Sequence, residues 1–362
     1  MKKLTILLFV FAQMSVLAQS DSVNRTLTFS GMVDAYLAYY TDSVGTGNYQ
    51  KFQSISPRSK QFGLNVASIT VKYSADRMRS IVTLHYGDIP RSSWSSTFNF
   101  IQEANAGFRI YKNLWIDGGF FRTHIGTEGL FPKENITSSV AVATFFEPYF
   151  EAGFRLNYTP TDKLLLNLYL LNGYNLYEDN NKKKSIGLFA AYTVNDAVSI
   201  GYNNYLGNDA AEDDTVSRTR FYNNVFLNFQ KGKIRMVAGA DLAVQQHGDL
   251  KNAEKSASYA SALLALRYQA VNRFGIYGRG EVFHDPQGML SGVFLNEGNE
   301  FSGIKLWGIT LGAEYKPTDN FYVRLEGRNL TADSGQKIFY SDTKSTNHRL
   351  EAMLNFGLYF PQ

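Results

Sequence analysis

The sequence predicts an all-β fold, an antiparallel transmembrane β-barrel of about 16 strands with short periplasmic turns and long external loops. Apolar and polar residues alternate along segments of about ten residues, the length that a tilted strand needs to cross a bilayer. Long and short connections alternate strictly, and aromatic residues gather at the predicted strand ends. No segment has the helical period, so a mixed fold is not expected.

The composition excludes several classes of protein. The 362 residues include 27 Phe and 23 Tyr but no Cys, which excludes disulfides, thiolate metal sites and cysteine nucleophiles. The net charge is +4, and Lys and Arg are spread along the chain, so nucleic acid is not an expected partner. Beyond residue 18 no apolar run approaches the roughly 20 residues of a membrane-spanning helix. A soluble periplasmic protein and a membrane β-barrel are the two classes left.

The first residues have the pattern of a secretory signal peptide. Lys2 and Lys3 precede an apolar run, and the small residue Ala18 precedes a polar stretch. We therefore predict a signal peptide at 1–18, a periplasmic N-terminal segment at 19–26 and the barrel at 27–362. The alternative is a buried N-terminal strand or helix, which the charged start fits poorly.

The first predicted strand, 27–37, separates an apolar face from a polar one. Its apolar residues include Leu27, Phe29 and Val33, and its polar residues include Ser30 and Asp34. The same period recurs to the C-terminus, where charged residues alternate with apolar ones. In a barrel the charged face points into the lumen and the apolar face contacts lipid.

The connections set the topology. Seven short turns, rich in Pro, Gly, Asn and Asp, alternate with eight long connections, which gives 16 strands. Because this number is even and the short turns are periplasmic, both chain ends are expected in the periplasm. Two of these turns share the sequence Pro-Thr-Asp, at 160–162 and 317–319. The long connections run near 41–61, 88–99, 123–148, 174–183, 207–217, 246–257, 285–303 and 331–346.

Aromatic residues at strand ends suit the two membrane interfaces, where amphipathic rings sit at headgroup depth. A soluble, aromatic-rich all-β protein is the alternative. Barrel closure favours the membrane protein because an open sheet of this size would expose unpaired backbone groups. The aromatic residues include Tyr39, Tyr40, Tyr73, Tyr86, Tyr111, Phe120, Tyr158, Tyr192, Tyr268, Tyr315 and Tyr322.

Three stretches carry a family resemblance. Residues 119–128 contain Ile-Gly-Thr-Glu before a long loop, Glu147 to Gly153 contain a Pro-Tyr element before the next strand, and 321–328 carry Arg-x-Glu-x-Arg. The chain resembles the β-barrel porin type 2, OmpL-like family. The resemblance implies an outer-membrane porin-like barrel with no catalytic set. The segment 354–360 is similar to the C-terminal assembly signal of such barrels, although Pro361 and Gln362 follow it.

No residues have the spacing of a catalytic or metal site. The five histidines fall on separate strands or loops, and no nucleophile lies beside an oriented histidine. We therefore expect no enzyme activity, no metal and no cofactor. Charged pairs such as Glu151 with Arg155 share the lumen face and are expected to line a wet pore.

The sequence therefore predicts a porin of the Gram-negative outer membrane that passes small hydrophilic solutes or ions by passive diffusion. The alternative is a binding or adhesion barrel that acts through its external loops. The expected partners are outer-membrane lipid and small hydrophilic solutes. Many porins are trimers, and a homo-oligomer such as a trimer is compatible with the sequence but not specified by it.

The longest connection, 123–148, is expected to fold into the lumen and constrict it. Its many apolar residues, such as Phe131 and Val142, suit burial against the inner wall better than exposure to water. An external cap or an oligomer contact is the alternative. Arg122, His124, Glu128, Lys133 and Glu134 are expected to face the remaining gap. The other candidates for the pore lining are Glu151, Arg155, Arg279, Glu281, Arg324, Glu326 and Arg328.

Overall fold

The computed structural model describes residues 25–249, 251–252, 254–342 and 344–360. The predicted signal peptide, 1–18, and most of the predicted periplasmic segment, 19–26, lie outside these residues. The barrel begins at Thr26, one residue before the predicted start.

Sixteen strands form one closed antiparallel barrel in which each strand pairs with its neighbours in sequence and the last pairs with the first. The predicted fold class is confirmed. The barrel strands are β1 (Thr26–Tyr40), β2 (Phe62–Ser74), β3 (Met78–Tyr86), β4 (Ile101–Tyr111), β5 (Leu114–Arg122), β6 (Phe150–Thr161), β7 (Leu164–Leu171), β8 (Ser185–Asn195), β9 (Val198–Asn208), β10 (Thr219–Lys231), β11 (Ile234–Gln245), β12 (Ala257–Val271), β13 (Phe274–His284), β16 (Lys305–Thr318), β17 (Phe321–Ala332) and β20 (His348–Phe360).

Small elements lie in the long loops. Two hairpins form from β14 (Phe294–Leu295) with β15 (Phe301–Ser302) and from β18 (Phe339–Ser341) with β19 (Lys344–Thr346). The helices are α1 (Asp88–Ser93) and α2 (Val142–Phe146), and Pro132–Glu134 forms a 3-10 turn. Within the described ranges, no helix is long and apolar enough to cross a bilayer.

The loops and turns alternate as predicted. The long loops are L1 (41–61), L2 (87–100), L3 (123–149), L4 (172–184), L5 (209–218), L6 (246–256), L7 (285–304) and L8 (333–347).

Both Pro-Thr-Asp segments differ from the prediction because their prolines lie within strands, at irregularities in the pairing that follow Tyr158 and Tyr315. Proline has no N–H for the ladder, and a bulge accommodates it without breaking the hairpin.

The alternation of faces follows the predicted parity. Leu325 is 62% exposed on the outside, whereas the next residue, Glu326, is 1% exposed on the inside. In β1, Leu27 and Phe29 are exposed outward and Asp34 is buried in the lumen. The apolar outer surface is what lipid requires, and the inner face carries the charges.

The core of the molecule lies inside the barrel. Both L1 and L3 contribute buried residues, and they meet where the ring of Phe52 contacts those of Phe145 and Phe146 at 6.4 and 5.8 Å between centroids. These two loops fill much of the lumen, which positions the candidate site.

Candidate functional site

L3 is attached to the inner wall through its backbone amides. The carboxylate of Glu326 accepts hydrogen bonds from the amides of Ser138 and Ser139 at 2.6 and 3.0 Å, and Glu281 accepts one from Val142 at 2.7 Å. Both carboxylates belong to the inward faces of β17 and β13. L3 therefore lies inside the lumen.

Arginines of the same wall bind the carbonyls of L3. Arg324 donates to the carbonyls of Pro132 and Thr137 at 2.7 and 2.9 Å, and Arg279 donates to that of Ser139 at 2.6 Å. Hydrogen bonds to charged groups are the stronger ones. The predicted Arg-x-Glu-x-Arg pattern of β17 thus supplies two of the groups that hold the loop.

These charges form a buried ladder from L3 to L1. Acidic and basic groups alternate along it, which offsets the cost of removing ions from water. The order along the ladder is Glu128, Arg279 (2.9 Å), Glu281 (3.3 Å), Arg328 (2.7 Å), Glu351 (3.7 Å), Arg349 (2.6 Å) and Asp42 (3.6 Å), where each distance refers to the preceding residue.

The predicted wet lining is wrong for five of these wall residues. They face inward as expected, but they are buried, with exposed fractions of 5% or less, and so cannot contact a passing solute. Four of them bond to L3, and Arg328 pairs with Glu281 and Glu351 instead. The five are Arg279, Glu281, Arg324, Glu326 and Arg328.

His124 anchors the start of L3. Its Nδ1 lies 2.8 Å from the carboxylate of Glu151, its Nε2 lies 2.8 Å from the carbonyl of Asn204, and its ring stacks on Tyr169. The imidazole of His124 lies directly over Gly187. A side chain at position 187 would collide with it, because a Cβ there would lie 2.4 Å from Nε2.

Two of the five residues that were predicted to face the gap do not face it. The side chains of His124 and Glu128 are 0% and 4% exposed, so both are buried against the wall instead of facing the gap. Glu151 is buried with His124. Sequence spacing could not show that L3 turns these side chains toward the wall.

The other three predicted gap residues reach solvent. Arg122 and Glu134 form a two-bonded ion pair at 2.8 and 2.6 Å, and Lys133 is exposed at the tip of L3. Together with Lys72 and Glu103 they line a cavity of 210 Å³ between L3 and the wall formed by β1 to β4. Arg155 lies elsewhere on the inner face, where it pairs with Asp117 at 3.0 Å.

L1 also enters the lumen, which the sequence interpretation missed. Asn65 accepts a hydrogen bond from the amide of Ser56 at 2.5 Å and donates to Asp34 at 2.7 Å, while the hydroxyl of Tyr40 donates to the carbonyl of Ser56 at 2.7 Å. Gln53 donates to the carboxylate of Glu351. Apolar residues within a long loop are the signal that could have found it.

On the external side, L2, L3, L4, L5 and L7 surround a vestibule of 520 Å³. Arg220 stacks over the ring of Tyr174 and lies 3.5 Å from Asp209. Burial, with the nearby carboxylates of Asp241 and Glu128, raises the pKa of Glu147 well above its usual range. Burial thus favours the uncharged form of the Glu147 carboxyl.

A closed barrel of sixteen strands, apolar outside and charged inside, with loops folded into its lumen defines an outer-membrane porin. The chain belongs to the family described as "Putative beta-barrel porin-2, OmpL-like", whose model matches residues 26–360. The predicted family, the porin function and the Gram-negative outer-membrane location are thereby confirmed, and the family is one of porins rather than enzymes.

Solved porins share the fold at low sequence identity. The outer-membrane channel DcaP of Acinetobacter baumannii is 12% identical, with a TM-score of 0.62 over 92% of this chain and 97% of that one. OmpT of Vibrio cholerae is also 12% identical, with a TM-score of 0.57 over 95% and 100%. A further OmpT structure, described as a trimer form, has 11% identity and a TM-score of 0.58 over 93% and 99%. None of the curated proteins matches the chain.

Proposed function

We propose that small hydrophilic solutes diffuse passively through this barrel and that L3, together with L1, narrows the passage. The observation that carries the proposal is the fixation of L3 by Glu281, Arg324 and Glu326, which holds the loop across the lumen. Arg122, Lys133 and Glu134 then border the remaining gap. Residues 1–18 serve as the signal peptide for export.

Liposome swelling with neutral sugars of increasing size tests this function. Purified barrel should admit the smallest sugars, and the rate should fall steeply as the sugar approaches the width of the gap. A folded protein that excludes every sugar would instead favour the binding or adhesion barrel, because binding through the external loops does not require an open channel.

We also propose that the barrel associates with copies of itself through the outer face of β8 to β11. There Tyr202, Asn204 and Asn223 form a hydrogen-bonded polar group on the lipid-facing side, at 2.6 and 3.0 Å. Below it, small residues including Ala190 and Ala238 leave a recess of 620 Å³. Polar groups and small residues on a lipid-facing surface favour close contact with another protein.

The trimer form of OmpT is consistent with such association. Chemical cross-linking in native outer membranes should give a discrete oligomer, and Ala238→Trp should reduce it by filling the recess. Ile309→Trp, on the outer face of β16, is the matched control. Monomer alone in the parent protein would contradict the proposal.

A further inference from the structure

Two acidic groups in the periplasmic half of the lumen are each paired with two arginines. Asp117 accepts bonds from Arg79 at 2.6 Å and Arg155 at 3.0 Å. Across the barrel, Glu314 pairs with Arg267 at 2.5 Å and with Arg324 at 2.6 Å. Each carboxylate thus faces two guanidinium groups, and each cluster keeps a net positive charge.

The cavity beside the tip of L3 also has more basic than acidic groups. Arg122, Lys72 and Lys133 line it, against Glu103 and Glu134. These three basic and two acidic side chains give the cavity lining a formal net charge of +1.

Three more cations face the lumen near the periplasmic turns. Arg109 stacks on Trp115, whose ring also contacts Arg79, and Lys316 lies 5.9 Å from the ring of Tyr359. Arg235 lines a separate cavity of 390 Å³, whose lining also includes Asp196 of the adjacent periplasmic turn. In the part of the chain that the structure describes, no carboxylate lies within ion-pair distance of Arg109, Arg235 or Lys316.

We propose that this cationic half of the lumen selects small anions that carry carboxylate or phosphate groups. Rings of basic side chains at a narrow passage concentrate anions and repel cations. In the external vestibule, Arg220 lies 3.5 Å from Asp209 and balances its charge. The inference rests on the proposed channel function and adds the class of solute.

Reversal potentials in planar bilayers under a KCl gradient test the proposal. The parent channel should conduct chloride in preference to potassium at about 0.1 M salt. The preference should weaken near 1 M, where the Debye length falls from about 10 to about 3 Å. A channel that prefers potassium, or shows no preference at about 0.1 M, would overturn the anion proposal while leaving the porin function intact. Absence of any channel would instead count against the porin function.

Charge reversals locate the selective region. Arg235→Glu and Lys133→Glu should each shift the reversal potential toward the potassium equilibrium value, and the double variant should shift it further. Lys251→Glu, in external L6, is the matched control and should leave the value unchanged. A shift in the control equal to that of the lumen variants would refute the assignment. With phosphate or a small dicarboxylate replacing chloride, the parent should keep its anion preference.

Discussion

Leu325 and Glu326 are neighbours in sequence and lie in opposite environments, one against lipid and the other under L3. Leu325→Arg should impair assembly, since a lipid-facing cation near the midplane costs about 2–4 kcal/mol. Glu326→Gln should assemble normally but weaken the hold on the amides of Ser138 and Ser139. The folded fraction can be measured by the heat-dependent shift in electrophoretic mobility. Equal assembly defects in the two variants would refute the assignment of the lipid-facing and lumen-facing sides.

Glu147 gives the molecule a titration that its sequence did not reveal. Because burial raises its pKa in the folded state, its contribution to stability is present at pH values below the ordinary pKa of about 4.3 and is lost as pH rises through the folded value. The melting temperature of the parent should therefore fall with rising pH more than that of Glu147→Gln.

Glu212→Gln is the control for this titration, since Glu212 is exposed in L5 beside Lys182. Its melting profile should follow the parent profile. Parallel profiles for the parent and Glu147→Gln would show that the carboxyl of Glu147 is already ionised in the folded barrel.

At the scale of elements, the strands and loops could be predicted because a two-residue period and loop length are local properties. The inward position of L3 was predictable from its length and its apolar residues. The anchoring residues were not, because Glu281 and Glu326 meet L3 only after β13 and β17 come together in the closed barrel. These two carboxylates were expected to line the pore, but they are buried and support L3 instead.

L1 depends on one asparagine of β2. Asn65→Ala removes the acceptor for Ser56 and a donor to Asp34, and buried unsatisfied groups cost about 1–3 kcal/mol each. We expect faster hydrogen exchange at Ser56 and its neighbours, with the barrel strands unchanged. Asn228→Ala, on the inner face near the periplasmic end of β10, is the control. Unchanged exchange in L1 would contradict this account of its anchoring.

The two sides of the whole barrel differ in how their inward-facing charges are used. The wall of β13, β16, β17 and β20 uses its charges to hold L3 and L1, and the opposite side leaves accessible basic groups near the periplasmic turns. The sequence showed that charges face inward. It could not show which of them the loops cover, since that depends on the path of L1 and L3 through the lumen.

If L3 narrows the passage as proposed, shortening L3 should widen the channel, and single-channel conductance measures that change. A variant lacking residues 130–139 should still assemble, because strand pairing is untouched and loop closure changes little with length. Its conductance should rise well above that of the parent, whereas a variant lacking residues 179–182 of external L4 should conduct like the parent. A folded 130–139 deletion with the conductance of the parent would contradict the claim.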